Sequence, residues 1–158
     1  MYKNVLLVVS LSVFSGSVLA QGDKEYSDEE LKTYASVMKW AKDEKSSMTS
    51  IYNGWINGNE DLEAARFVKI KSAKGDSVKL RELEVTSEEL LEFTSIIDRY
   101  DSMVASFKVI YTTKIKDDIG ASLYNSLRKD MKKDETLKAR YEEVLGKLEE
   151  APEAEGDE

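Results

Sequence analysis

Between residues 90 and 111 the apolar side chains fall at Leu90, Phe93, Ile97, Tyr100, Val104, Phe107 and Tyr111, in alternating steps of three and four. Such steps place side chains on one stripe of an α-helix, so the pattern predicts a long amphipathic helix over residues 87–116. Fifty-nine positions earlier the same register reads Leu31, Tyr34, Met38, Ala41, Lys45, Met48 and Tyr52, apolar except for Lys45. This predicts a first long helix over residues 27–52. Matched stripes of this kind predict that the two helices pack antiparallel or nearly so. Lys45 is expected at the edge of the core with its ammonium in water, because an unpaired buried charge costs several kcal/mol.

Both helices open with the same chemistry. Ser27 is followed three positions later by Glu30, and Thr86 by Glu89, the capping-box spacing in which side chains satisfy free backbone N–H groups reciprocally. Tyr26 before Leu31 and Val85 before Leu90 add candidate hydrophobic staples. Behind the long helices, Phe67, Ile70, Lys71, Leu80 and Arg81 correspond to Tyr124, Leu127, Arg128, Leu137 and Lys138. Asp76 and Asp134 each stand where they would cap a closing helix. The expected fold is all-α, a small helical bundle of two similar units (residues 27–84 and 86–150), each a long helix followed by a shorter helical pair. Tandem duplication is the favoured origin, against the alternative that any two amphipathic helices align somewhere. Asn53-Gly54 and Gly58-Asn59 mark expected breaks after the first long helix, and Gly120 an expected C-terminal cap of the second. Residues 66–81 alternate as a strand would, with a hairpin turn at Lys74-Gly75-Asp76; the match to the helical stretch around residues 124–138 favours helix.

The ends change the picture of where this bundle resides. Lys3, an apolar run over residues 5–14 and Val18-Leu19-Ala20 before a charged stretch form the layout of a secretory signal peptide over residues 1–20. An uncleaved anchor is the alternative, but the run is shorter than the roughly 20 residues that span a bilayer. A short linker (21–26) precedes the helical domain (27–150), and residues 151–158 read as a disordered acidic tail. The chain contains no Cys, so neither a disulfide framework nor a lipid-modified Cys is available. Export without disulfides points to a bacterial periplasmic or secreted protein. Without residues 1–20 the chain carries 22 basic and 31 acidic residues, a balance that disfavours nucleic acid and anionic lipid as partners. Arg128, Lys129, Lys132 and Lys133 form a local basic cluster, best read as a solvated helix face.

The absence of both His and Cys removes Ser-His-Asp and Cys-His catalysis and the usual zinc sites. Carboxylate pairs remain, Asp98 with Asp101 or Glu29 with Glu88, which would act as acid and base only in a cleft that separates their pKa values. Asn57, Asn59 and Asp61 around Gly58 faintly suggest a calcium loop but lack its bidentate Glu. No metal or cofactor is expected. Trp55, with Tyr52 close by, lies in an expected turn and is a candidate partner contact; the plainer role is covering the open end of the core. The aromatic stripe of the second long helix reads first as core, then as a pocket or an oligomer seam.

The stretch SDEELKTYA at residues 27–35, followed much later by Tyr124-Asn125-Ser126-Leu127 and Asp134-Glu135-Thr136-Leu137, resembles domain-of-unknown-function family 4168 of small exported bacterial proteins. Glu135 stands where that family's pattern commonly has Pro, and the intervening stretch is longer. The resemblance implies a helical, envelope-associated protein and transfers no catalytic residues. The functional expectation is a non-enzymatic exported protein that binds a protein or small ligand in the envelope, with homo-oligomerisation open. The alternatives are an enzyme using carboxylate acid/base chemistry and a carrier of a small apolar ligand.

Overall fold

The structure, a computed structural model, describes residues 25–150. The expected signal peptide, most of the linker and the acidic tail lie outside the described residues. Helix α1 (Asp28–Asn57) is followed by α2 (Ala64–Ser72), α3 (Ser77–Glu82) and α4 (Ser87–Lys114). A π-helical turn (Ile115–Ile119) then leads into α5 (Ala121–Asp130) and α6 (Glu135–Glu150). Among the described residues there is no strand, so the all-α expectation holds and residues 66–81 are helix, turn and helix. Their alternation misleads because only one row of it is buried: Phe67, Ile70 and Ala73 are buried at helical spacing, while Val68 is 62% exposed.

Both capping boxes form. Ser27 Oγ accepts from Glu30 N and Glu30 Oε2 from Ser27 N, and Thr86 with Glu89 repeats the exchange. Asp76 accepts from the N–H groups of Val78 and Lys79, and Asp134 from those of Thr136 and Leu137. The staples differ. Tyr26 and Leu31 are both buried, whereas Leu90 is 41% exposed.

The Asn53-Gly54 break does not occur: α1 continues to Asn57 and caps at Gly58, whose N–H donates to Gly54 O at 2.9 Å. A mid-helix Gly costs about 1 kcal/mol. Tyr52, Trp55 and Ile56, which flank Gly54, pack against the buried cluster of Leu62, Phe67, Ile70 and Ile96, and that apolar burial exceeds the penalty. At the other boundary Gly120 ends the π turn with φ +81°, a conformation natural to glycine.

The long helices run antiparallel: Met38 meets Tyr111, Trp40 meets Phe107 and Tyr52 meets Tyr100. A core sits at each end. The first gathers Tyr26, Leu31, Tyr34 and Val37 from the start of the chain with Ile119, Leu127 and Leu137. The second is built on Leu62, Phe67, Ile70 and Ile96. Helix α6 lies alongside α1 and parallel to it, tied at its start by Arg140 to Asp28 and at its end by Lys42 to Glu149. Between the two cores, α1 and α4 form a two-helix waist.

Candidate functional site

The waist is held by stacked rings. Trp40 stacks on Phe107 at 5.9 Å and Phe107 on Tyr111 at 5.6 Å, with interplanar angles of 21° and 8°. Lys114 Nζ lies 5.3 Å from the Trp40 ring centre, and the Arg99 guanidinium lies 4.1 Å from that of Trp55, so both tryptophans are faced by cations. Between them an open trough of about 200 Å³ runs along the α1–α4 seam, lined mainly by Trp40, Met48, Ile51, Met103, Phe107 and Ile110. Ile51 and Ile110 are 43% and 50% exposed, an apolar surface that no element among the described residues covers.

Trp55 does not occupy the expected turn, and Tyr52 is helical, as its place at the end of the first predicted helix requires. Both lie in the last turns of α1, half-buried against the second core. Tyr52 packs on Tyr100 at 4.4 Å and receives a hydrogen bond from Lys71 Nζ at 3.1 Å. Lys45 is exposed as expected, with its ammonium 5.6 Å from the Phe107 ring and 5.9 Å from that of Tyr111.

The carboxylate pairs are not assembled into a cleft. Asp98 and Asp101 are exposed on α4, and Glu29 and Glu88 open antiparallel helices at opposite ends of the molecule. Asn59 serves the backbone, its Oδ1 accepting from the N–H groups of Asp61 and Leu62 while its amide donates to Glu92. Among the described residues no cluster of three or more His, Cys, Asp or Glu could hold a metal. A larger groove of about 510 Å³ lies between α1 and α6, lined by Lys32 and by two ion pairs, Arg140 with Asp28 and Lys147 with Glu143, each at 2.6 Å.

Two groups of titratable residues are strongly perturbed, both in structural roles. Glu89 is held down to about 2 by the hydrogen bonds it receives from Arg66 and then by the Thr86 N–H. Arg66 also donates to Leu83 O and Glu84 O, locking the α3–α4 loop to α2. In the first core Tyr111 and Tyr124 share a hydroxyl hydrogen bond of 3.2 Å, and the Tyr111 hydroxyl reaches Met38 Sδ at 3.7 Å. Burial pushes Tyr34 up to about 12 and Tyr111 upward as well, so these phenols stay neutral and are poor nucleophiles.

Sequence reasoning followed one stripe per helix and missed the trough. Its signal was a second row, Trp40 and Ile51 on α1 with Met103 and Ile110 on α4, beside the stripe members Met48 and Phe107 that also line the trough. No family model matches the chain, and no curated protein or solved structure matches it either. The likeness to domain-of-unknown-function family 4168 rests on its two motif stretches alone.

Proposed function

We propose that this chain is an exported, non-enzymatic protein of the bacterial envelope that binds an amphipathic helix of a partner protein in the α1–α4 trough. Export is supported by the leader pattern of residues 1–20, and the resemblance to family 4168 agrees with it. The observation that carries the binding role is the apolar surface at Ile51, Met103 and Ile110, left uncovered among the described residues, between two cation-faced tryptophans. From Trp40 to Ile51 the trough runs about 16 Å, three helical turns, a length suited to anchors at i, i+3/i+4 and i+7. A carrier of a small apolar ligand is less well supported, since such sites enclose about 300–1,000 Å³ and bury most of the ligand, whereas this trough is shallow at about 200 Å³. The two halves are further proposed to be tandem copies, a reading supported by the paired capping boxes and the paired Asp caps.

A photo-crosslinking residue at position 51, expressed in the native envelope, tests the role. The expected result is a defined adduct with one envelope protein, abolished by Ile110→Glu while thermal unfolding of that variant is unchanged. Adducts unaffected by Ile110→Glu would overturn it. So would adducts formed only between copies of this chain, which would identify the trough as an oligomer seam. Turnover of a model ester, phosphate or glycoside that disappears in Asp98→Ala would replace binding with catalysis.

A further inference from the structure

The seam between α1 and α6 is separate from the trough and carries a different chemistry. Asp28, Lys32 and Ser36 follow one another along α1 at steps of four, with Lys39, Trp40 and Asp43 one to two turns further on, so these side chains share one stripe. Asp28 and Lys32 line the groove of about 510 Å³ together with Arg140, Glu143, Val144, Lys147 and Leu148 of α6. A hollow of about 350 Å³, lined by Ser36, Lys39, Trp40, Asp43 and again Leu148, continues it along α1. Val144, Leu148 and Trp40 are half-buried, and the charges beside Trp40 cancel in the Lys39–Asp43 pair at 2.9 Å. The seam therefore becomes apolar toward its Trp40 end.

At the other end the charges do not balance. Arg140 is paired with Asp28 and Lys147 with Glu143, which leaves Lys32, exposed and without a carboxylate partner among the described residues, as a surplus cation. Asp28 stands one turn before Lys32, in position for an i,i+4 pair, but is held by Arg140 at 2.6 Å. Arg140 does this with Nη2 alone, which donates both to Tyr26 O and to Asp28 Oδ1. A guanidinium has five N–H donors, and those on Nε and Nη1 meet no acceptor among the described residues. A single excess positive charge, spare donors and an apolar continuation together match a monoanion that carries a hydrocarbon tail.

We propose that the α1–α6 groove binds a single-chain fatty carboxylate, with its head group at Lys32 and Arg140 and its alkyl chain along Val144 and Leu148 toward Trp40. The carboxylate accepts charge-assisted hydrogen bonds from both cations, and its one negative charge cancels the surplus. A phosphate dianion would bring an unbalanced charge next to Asp28 and Glu143. From Lys32 to Trp40 the seam runs about 12 Å along α1, which selects a chain of medium length. The volume is that of a small-molecule site, while the groove covers the chain from one side only, so affinity is moderate. This site is independent of the helix-binding role of the trough.

Equilibrium dialysis of the purified protein against radiolabelled decanoate, kept below its micelle concentration, tests the site. Saturable binding of a single equivalent is expected, with neither acetate nor decyltrimethylammonium competing. Full burial of a methylene strengthens binding about fourfold, so in a groove that covers half of the chain each methylene from hexanoate to decanoate should gain about twofold. Lys32→Gln should weaken decanoate binding about tenfold, the worth of one hydrogen bond to a charged group, and Lys32→Arg should retain it. In a Trp55→Phe protein with unchanged circular dichroism, saturation should shift the emission of Trp40. Because Trp40 also borders the trough, Ile110→Glu fixes the location and should leave decanoate affinity as it is. Loss of binding in Ile110→Glu would place the ligand in the trough and overturn the proposal. So would equal affinity for decyltrimethylammonium, indifference to Lys32→Gln, an unmoved Trp40 emission at saturation, no binding at all, or binding that begins only at the micelle concentration and so reports an anionic surface.

Discussion

Phe67 links three elements of the second core, and its replacement by Ala is the sharpest test of how the molecule is held together. The side chain is 1% exposed, with its ring 4.9 Å from Phe93 on α4 and 6.1 Å from Tyr52 on α1. Truncating such a residue removes its burial and leaves a void between rings that cannot fully close, for a loss of about 3–5 kcal/mol. In a chain of this size each kcal/mol moves the melting temperature by about 4 °C, so a fall of about 12–20 °C is expected. The assay is urea unfolding followed by two probes, Trp fluorescence for the waist and second core and near-ultraviolet circular dichroism for the tyrosines of the first core. Since α1 and α4 run uninterrupted through both cores, the transitions should coincide in the parent protein and shift together in the variant. A loss below about 1 kcal/mol would show that Phe67 is not packed as described. Transitions that separate, with the tyrosine signal unmoved, would show that the waist does not couple the two ends.

Three further outcomes follow from the geometry. Glu89 is held near 2 in the folded state against 4.5 as its reference, so its contribution to stability is present above pH 4.5 and is lost as pH falls toward 2; Glu89→Gln should flatten that part of an acid-unfolding curve. Gly120→Ala meets no neighbouring atom but must hold φ +81°, so a loss of about 1–2 kcal/mol through backbone strain alone is expected from chemical denaturation. Lys45→Leu should change unfolding free energy by no more than about 0.5 kcal/mol, as at other exposed positions, and a fall of many degrees in melting temperature would contradict the exposed placement of its ammonium.

The parts legible in the sequence were those decided locally. Ser27 with Glu30, Thr86 with Glu89, and the Asp76 and Asp134 caps depend on chemistry within three residues, and all four form. The continuation of α1 through Asn53-Gly54 was not legible, because it is fixed by Phe67 and Ile96, residues far along the chain that bury the flanking Tyr52 and Ile56. The π turn left only a faint trace: Tyr111, Ile115 and Ile119 recur at steps of four and all join the first core, which a regular α-helix would rotate progressively away. Tyr52 and Trp55 drew attention by type, but their surroundings depend on α2 and α4 folding over them. The trough was hidden for the opposite reason. Apart from Met48 and Phe107, its apolar residues lie beside the predicted stripes, and only the length of the waist left bare by the short helices shows that no described element covers them.

The two cores also differ in when they can close. The second draws on residues 52–97, a contiguous stretch whose contacts form over short loops and therefore form early. The first joins Tyr26, Leu31 and Tyr34 to Leu127, Leu137 and Tyr141, partners about a hundred positions apart. A chain emerging from its start must therefore hold the apolar opening of α1 unsatisfied until almost the last helix has been made. Completion waits for α6, so a chain interrupted before residue 135 keeps one finished end and one that stays open, the form in which it is most exposed to chaperones, proteases or any machinery that requires unfolded segments.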